Sequence, residues 1–136
     1  MSFSGPMLQS NPTQPQVNRA VLEECIKACF DCTQSCTSCA DACLGEPQRE
    51  MLLRCIRLDL DCADICNATG KLLSRQMAFD STLTRVVVQA CAVACRLCGA
   101  ECEQHGRRGM EHCRICAEVC RNCEQACNKV LSALTA

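Results

Sequence analysis

The stretch CIKACFDCTQSCTSCADAC, residues 25–43, places Cys25, Cys29, Cys32, Cys36, Cys39 and Cys43 at successive intervals of 4, 3, 4, 3 and 4. Side chains at that alternation lie one above another on a single stripe of an α-helix. The same stripe recurs along the chain. Cys91, Cys95, Cys98 and Cys102 run 4, 3, 4, and Cys113, Cys116, Cys120, Cys123 and Cys127 run 3, 4, 3, 4. Between them Cys55, Cys62 and Cys66 follow the pattern with one departure, because Asp59 holds the place of a fourth cysteine. Four stripes are an internal repeat of one device on four helices.

Working outward from the stripes gives the helix limits. The first helix spans 18–44, roughly 40 Å at 1.5 Å per residue, from a capping Asn18 to a stop at Gly45. Pro47 suits the first turn of a second helix over 47–74. Asp80 or Ser81 caps a third that ends near Gln104, and Gly106 with Gly109 breaks the chain before a fourth over 110–134. Long helices with short connections make antiparallel neighbours. The expected fold is therefore all-α, an up-down-up-down four-helix bundle with a Cys-lined core. Residues 1–16 hold three of the four Pro among Ser, Asn and Gln and read as an extended, flexible arm rather than a helix; residues 17–136 form the bundle domain.

Composition supports a core of unusual chemistry. The 136 residues suffice for one domain and include 18 Cys, 3 Phe and neither Trp nor Tyr. The apolar share of 49% falls to about 36% once cysteine is set aside, so thiols must line much of the interior. A net charge of −1 and a pI near 6.1 exclude a strongly basic face for nucleic acid or anionic lipid. No apolar run is expected to reach the roughly 18 residues that a bilayer demands, so neither nucleic acid nor membrane is an expected partner. The first sixteen residues contain no basic n-region, apolar h-region or twin-Arg motif. A cytoplasmic location with reduced thiols is the expectation.

Several chemistries compete for such a core. Cysteine can simply fill space as a small hydrophobe, but Leu, Ile or Val would bury more area at each position. Disulfides need a specific dihedral, which neighbours pointing the same way from one helix do not favour. Iron–sulfur clusters are usually gripped from loops or turns rather than within continuous helical repeats. Zinc with four thiolates carries a formal charge of −2, expensive when repeated along a low-dielectric seam. Cu(I) with thiolate at one to one is neutral, and bridging sulfurs would allow the 18 Cys to hold on the order of 18 ions. Filling exchanges a thiol proton for Cu⁺, so affinity should weaken as pH falls.

Following the chain up and down gathers Cys43, Met51, Cys55, Asp59, Cys102, His105, Met110, His112 and Cys113 at one end. The opposite end collects Leu22, Leu73, Val87, Val88, Val130 and Leu134 as an apolar plug. His105, three residues after Cys102, continues the inward stripe, and His112 adjoins Cys113. Imidazole and thioether suit passing Cu(I) inward, while Asp59 needs a partner, either a histidine or a passing ion. Met51 and Met110 serve either as such ligands or as packing residues.

The runs CIKACFDCTQSCTSCADAC and CAVACRLCGAEC, and above all HGRRGMEHCRICAEVCRNCEQAC, resemble the bacterial copper storage proteins over about residues 17–134. The absence of an export signal makes the likeness one to the cytosolic branch. That resemblance implies a homotetramer of bundles, each storing many Cu(I) ions through its eighteen thiolates and loading at the end that bears His105 and His112. Asp59 departs from an all-Cys seam. The alternatives are a non-enzymatic store, a zinc buffer and an iron–sulfur redox protein, and no catalytic constellation is evident. Apolar residues outside the stripes, Ile26, Phe30, Leu60, Leu97, Ile115 and Val119, are candidates for contacts between copies or between helices.

Overall fold

The computed structural model describes residues 2–135 and builds the chain from helices, with no strand among the described residues. They are α1 (Ser4–Ser10), α2 (Arg19–Leu44), α3 (Leu53–Ser74), α4 (Ser81–Gly106) and α5 (Glu111–Thr135), with a 3-10 turn over Arg49–Leu52 leading into α3. Helices α2 to α5 form the antiparallel four-helix bundle. In it α2 packs on α3 and α5, and α4 packs on the same two.

Local chemistry explains where the helices begin. The Asn18 side chain accepts from the Val21 backbone N–H at 3.2 Å, and Asp80 accepts from the Leu83 N–H at 2.8 Å. Each satisfies a donor that a helix start would otherwise orphan. Gly45 follows the last residue of α2, where its N–H reaches back to the Ala42 carbonyl. Gly109 takes φ +97°, a left-handed turn that L side chains resist, and thereby reverses the chain between α4 and α5.

Two segments differ from expectation. The arm contains α1, because Leu8 is only 2% exposed and the Ser4 hydroxyl donates to the Glu23 carbonyl. Tertiary burial outweighs composition here, and Pro6 sits in the first turn, where its missing N–H costs nothing. The second bundle helix begins at Leu53 rather than Pro47, since residues 49–52 wind as a 3-10 turn. The tighter winding takes Met51 off the inward stripe, leaves it 62% exposed and buries Leu52 instead.

All four cysteine stripes face the bundle axis, and no cysteine is more than 1% exposed. By length and composition α4 is apolar enough to cross a membrane, contrary to expectation. In the bundle its Cys91, Cys95, Cys98 and Cys102 are core residues. Leu22, Leu73, Val88 and Val130 close the far end, each fully buried; Leu134 packs against the core half-buried, and Val87 is half-buried without a place in that plug. Burying a Leu or Val fully stabilises by about 1.5–3 kcal/mol, so this plug anchors a bundle whose centre is thiol. Thr69 and Thr84 are buried beside it and bond back to the Ile65 and Asp80 carbonyls at 2.7 Å. Ile26 is likewise buried, whereas Phe30, Leu60, Leu97 and Ile115 are exposed and Val119 is half-buried.

Candidate metal centre

The stripes of α2, α3, α4 and α5 bring their sulfurs together along one axis. All eighteen cysteines are free thiols. Neighbouring sulfurs lie 3.6 Å apart at Cys66–Cys95, 3.7 Å at Cys36–Cys120 and 3.7 Å at Cys55–Cys102, far beyond a disulfide bond. Contacts run without a break from Cys29 through Cys91, Cys66, Cys62, Cys32, Cys36, Cys98 and Cys102 to Cys55, no step exceeding 4.0 Å. The helices therefore supply a tube of sulfur rather than separate pockets.

Sharing of sulfurs is the decisive feature. Cys32, Cys62, Cys66 and Cys95 form one four-ligand group; Cys32, Cys36, Cys62 and Cys120 form a second; Cys36, Cys98, Cys116 and Cys120 form a third. Cys32, Cys36, Cys62 and Cys120 each belong to two of these, so filling them all requires bridging thiolates. Among the described residues no Lys or Arg side chain is buried to offset surplus negative charge. A chain of dianionic zinc centres would be costly there, whereas Cu(I) and thiolate at one to one leave no net charge. Burial first pushes the Cys43 thiol up to about 12. Cys36 is also raised, by its hydrogen bond with Cys116 first and with burial acting in the same sense.

Asp59 is completely buried inside this tube. Its Oδ1 accepts from Cys98 at 3.1 Å and from Cys102 and Cys116 at 3.4 Å, and Oδ2 accepts from Cys55 at 3.9 Å. Its partners are thus thiols from three helices, not the histidines. Burial, followed by the repulsion of Cys116, raises its carboxyl from 3.8 to about 8. A neutral acid suits the metal-free core.

The end of the bundle that bears His105 and His112 resolves into unequal parts. His112 Nδ1 lies 3.4 Å from Cys39 Sγ and 3.5 Å from Cys113 Sγ, and Cys39, Cys43, His112 and Cys113 form a further four-ligand group. Its other nitrogen, Nε2, faces Glu46 Oε1 at 3.1 Å. His105 is buried, and its Nε2 is held by Glu101 at 2.9 Å, which in turn accepts from Arg54 at 3.2 Å. Met110 packs against the core, while Met51 faces solvent. Sequence reasoning missed Glu46 and Glu101. The spacing of Glu101 four residues before His105 on one helix could have revealed the second pair, but nothing local marks the first.

The sequence model of the copper storage protein family matches residues 18–132. Among solved structures, the copper storage protein Ccsp from Streptomyces lividans loaded with 10 copper equivalents is 48% identical. It superposes with a TM-score of 0.93, covering 96% of this chain and 98% of that one. A cytosolic copper storage protein from the same bacterium, with five coppers, is 52% identical over 83% of this chain and 93% of that one, with a TM-score of 0.81. Cu(I)-bound BsCsp3, a copper storage protein, is 38% identical over 82% of this chain and 98% of that one, with a TM-score of 0.69. The uncharacterized cysteine-rich protein YhjQ of Bacillus subtilis is 39% identical over 73 residues, a match that takes in 54% of this chain and 64% of that curated relative's length. With a family match that takes in every cysteine of the four stripes, the chain belongs to the copper storage protein family.

Proposed function

We propose that this protein is a cytosolic, non-enzymatic store that holds many Cu(I) ions within its four-helix bundle for copper homeostasis and detoxification. The observation that carries this reading is the continuous run of buried, unpaired thiols with shared four-sulfur groups. A single exchangeable site would need two or three cysteines at the surface; eighteen buried ones supply capacity. Copper would be held by all four stripes, taken in at the end formed by His112, Cys39, Cys43 and Cys113, and passed inward by way of Asp59 and its thiol partners. His105 serves the same end from its place beside Glu101.

A cytosolic location is supported by the eighteen free thiols, which an oxidising compartment would tend to join, and by the cytosolic Streptomyces lividans relative. Assembly as a homotetramer accords with exposed Leu60, Val93 and Leu97 on the adjoining helices α3 and α4. Copper is the only partner the core chemistry calls for.

Anaerobic titration of the reduced protein tests the reading. With Cu(I) delivered against a chromophoric competitor, on the order of 18 equivalents should bind per chain, and zinc should bind fewer and more weakly. One or two copper equivalents, or zinc outcompeting copper, would contradict it.

A further inference from the structure

We infer that Glu46 is a positioning residue for copper uptake, holding His112 in the tautomer whose Nδ1 lone pair faces the thiols of Cys39 and Cys113. Glu46 is itself fixed by the turn that ends α2. Its N–H bonds to the Cys43 carbonyl at 3.2 Å, and Pro47 after it restricts its backbone. The Glu46 carboxylate can only accept, so at 3.1 Å its Oε1 accepts a hydrogen bond from a protonated His112 Nε2. In the neutral imidazole that leaves Nδ1 without a proton, aimed at Cys39 Sγ and Cys113 Sγ 3.4 Å and 3.5 Å away. Those two sulfurs are 3.8 Å apart, so the lone pair and both thiols face one small space at the mouth of the tube.

Carboxylates on the far nitrogen of a metal-binding histidine orient the ring and raise its basicity toward the metal. With Glu46 absent, either nitrogen could carry the proton, and part of the population would present an N–H to the thiols, where no cation can bind. The pair is partly exposed, the His112 and Glu46 side chains being 25% and 31% accessible, so its contribution to folding stability is small. Orientation is what the contact supplies.

The consequence for copper rests on the protein's being a copper store, whereas the tautomer can be read in the metal-free protein. Proton–nitrogen correlation spectra of the reduced apoprotein report which His112 nitrogen carries hydrogen. Stopped-flow loading with Cu(I) from a chromophoric chelator reports uptake. Wild type should show a protonated Nε2 and a bare Nδ1. Glu46→Gln, whose amide oxygen still accepts, should keep both the tautomer and the loading rate within about twofold. Glu46→Ala should give mixed tautomers and slow the first loading phase by about 10-fold or more, with total capacity unchanged. A wild-type His112 protonated at Nδ1 would overturn the inference, as would Glu46→Ala with either an unchanged tautomer or an unchanged rate. A wild type with the expected tautomer and no multi-copper capacity would instead remove the storage reading and leave the Glu46–His112 geometry standing.

Discussion

Asp59 on α3 and Cys98 on α4 meet inside the sulfur tube, Oδ1 to Sγ at 3.1 Å, with no basic side chain in the carboxyl's hydrogen-bonding shell. An ionised Asp59 would be an unpaired buried charge, and for that reason its carboxyl titrates near 8 rather than 3.8. The metal-free bundle holds it as a neutral acid.

The sign of the resulting pH dependence follows from linkage. Because the folded-state value is raised, Asp59's contribution to apoprotein stability is fully present below about 3.8 and is lost as pH rises through about 8. Asp59→Asn cannot ionise and should remove that decline. Unfolding free energies from denaturant titrations of the reduced apoproteins should converge at low pH and separate in favour of Asp59→Asn toward pH 8, by on the order of a few kcal/mol. Parallel pH profiles for the two proteins would contradict it.

Copper uptake should release protons. Each thiol that ligates Cu(I) gives up its hydrogen, and burial keeps the metal-free Cys43 protonated up to about 12. About one proton per copper should appear in weakly buffered titrations, and affinity measured by competition should fall as pH is lowered. Copper binding without proton release would mean that the empty core already holds thiolates.

Cys36 Sγ contacts four other sulfurs, those of Cys32, Cys98, Cys116 and Cys120, at 3.7–3.9 Å. Cys36→Ala should lower capacity by about one or two ions, because bridging neighbours retain the rest, and should destabilise the apoprotein by about 1 kcal/mol through the small cavity left behind. Mass spectrometry of the loaded variant under non-denaturing conditions gives the count. Loss of most of the copper would show that the tube fills only as a single cooperative unit.

Leu8 ties α1 to the bundle from outside the sulfur tube. Leu8→Ala should cost about 2 kcal/mol of stability while leaving copper capacity unchanged. A loss of capacity would give the N-terminal segment a part in metal binding that its position does not suggest.

What could be read in the sequence follows a physical division. The Cys25 to Cys43 stripe and its three repeats predict both the helices and the inward face, because helical periodicity is a local property that burial then reinforces. Asn18 and Asp80 likewise announce helix starts through their own side chains. Helix α1 was not legible, since seven residues with a proline have little intrinsic helicity and depend on Leu8 finding a place on the bundle. Met51 was misplaced because a 3-10 turn changes the angular step before α3. Asp59 was legible as an anomaly but not in its partners, which come from α4 and α5 as well as α3. Glu46 reaches His112 across 66 residues of chain, a contact only the fold creates.

X-ray absorption at the copper edge of the fully loaded protein tests the central claim most directly. Shared thiolates predict monovalent copper with a first shell of sulfur and further copper atoms close by, the signature of bridged clusters. Isolated coppers with mainly nitrogen or oxygen neighbours, or a divalent edge, would contradict the account of the core as a continuous Cu(I)–thiolate store.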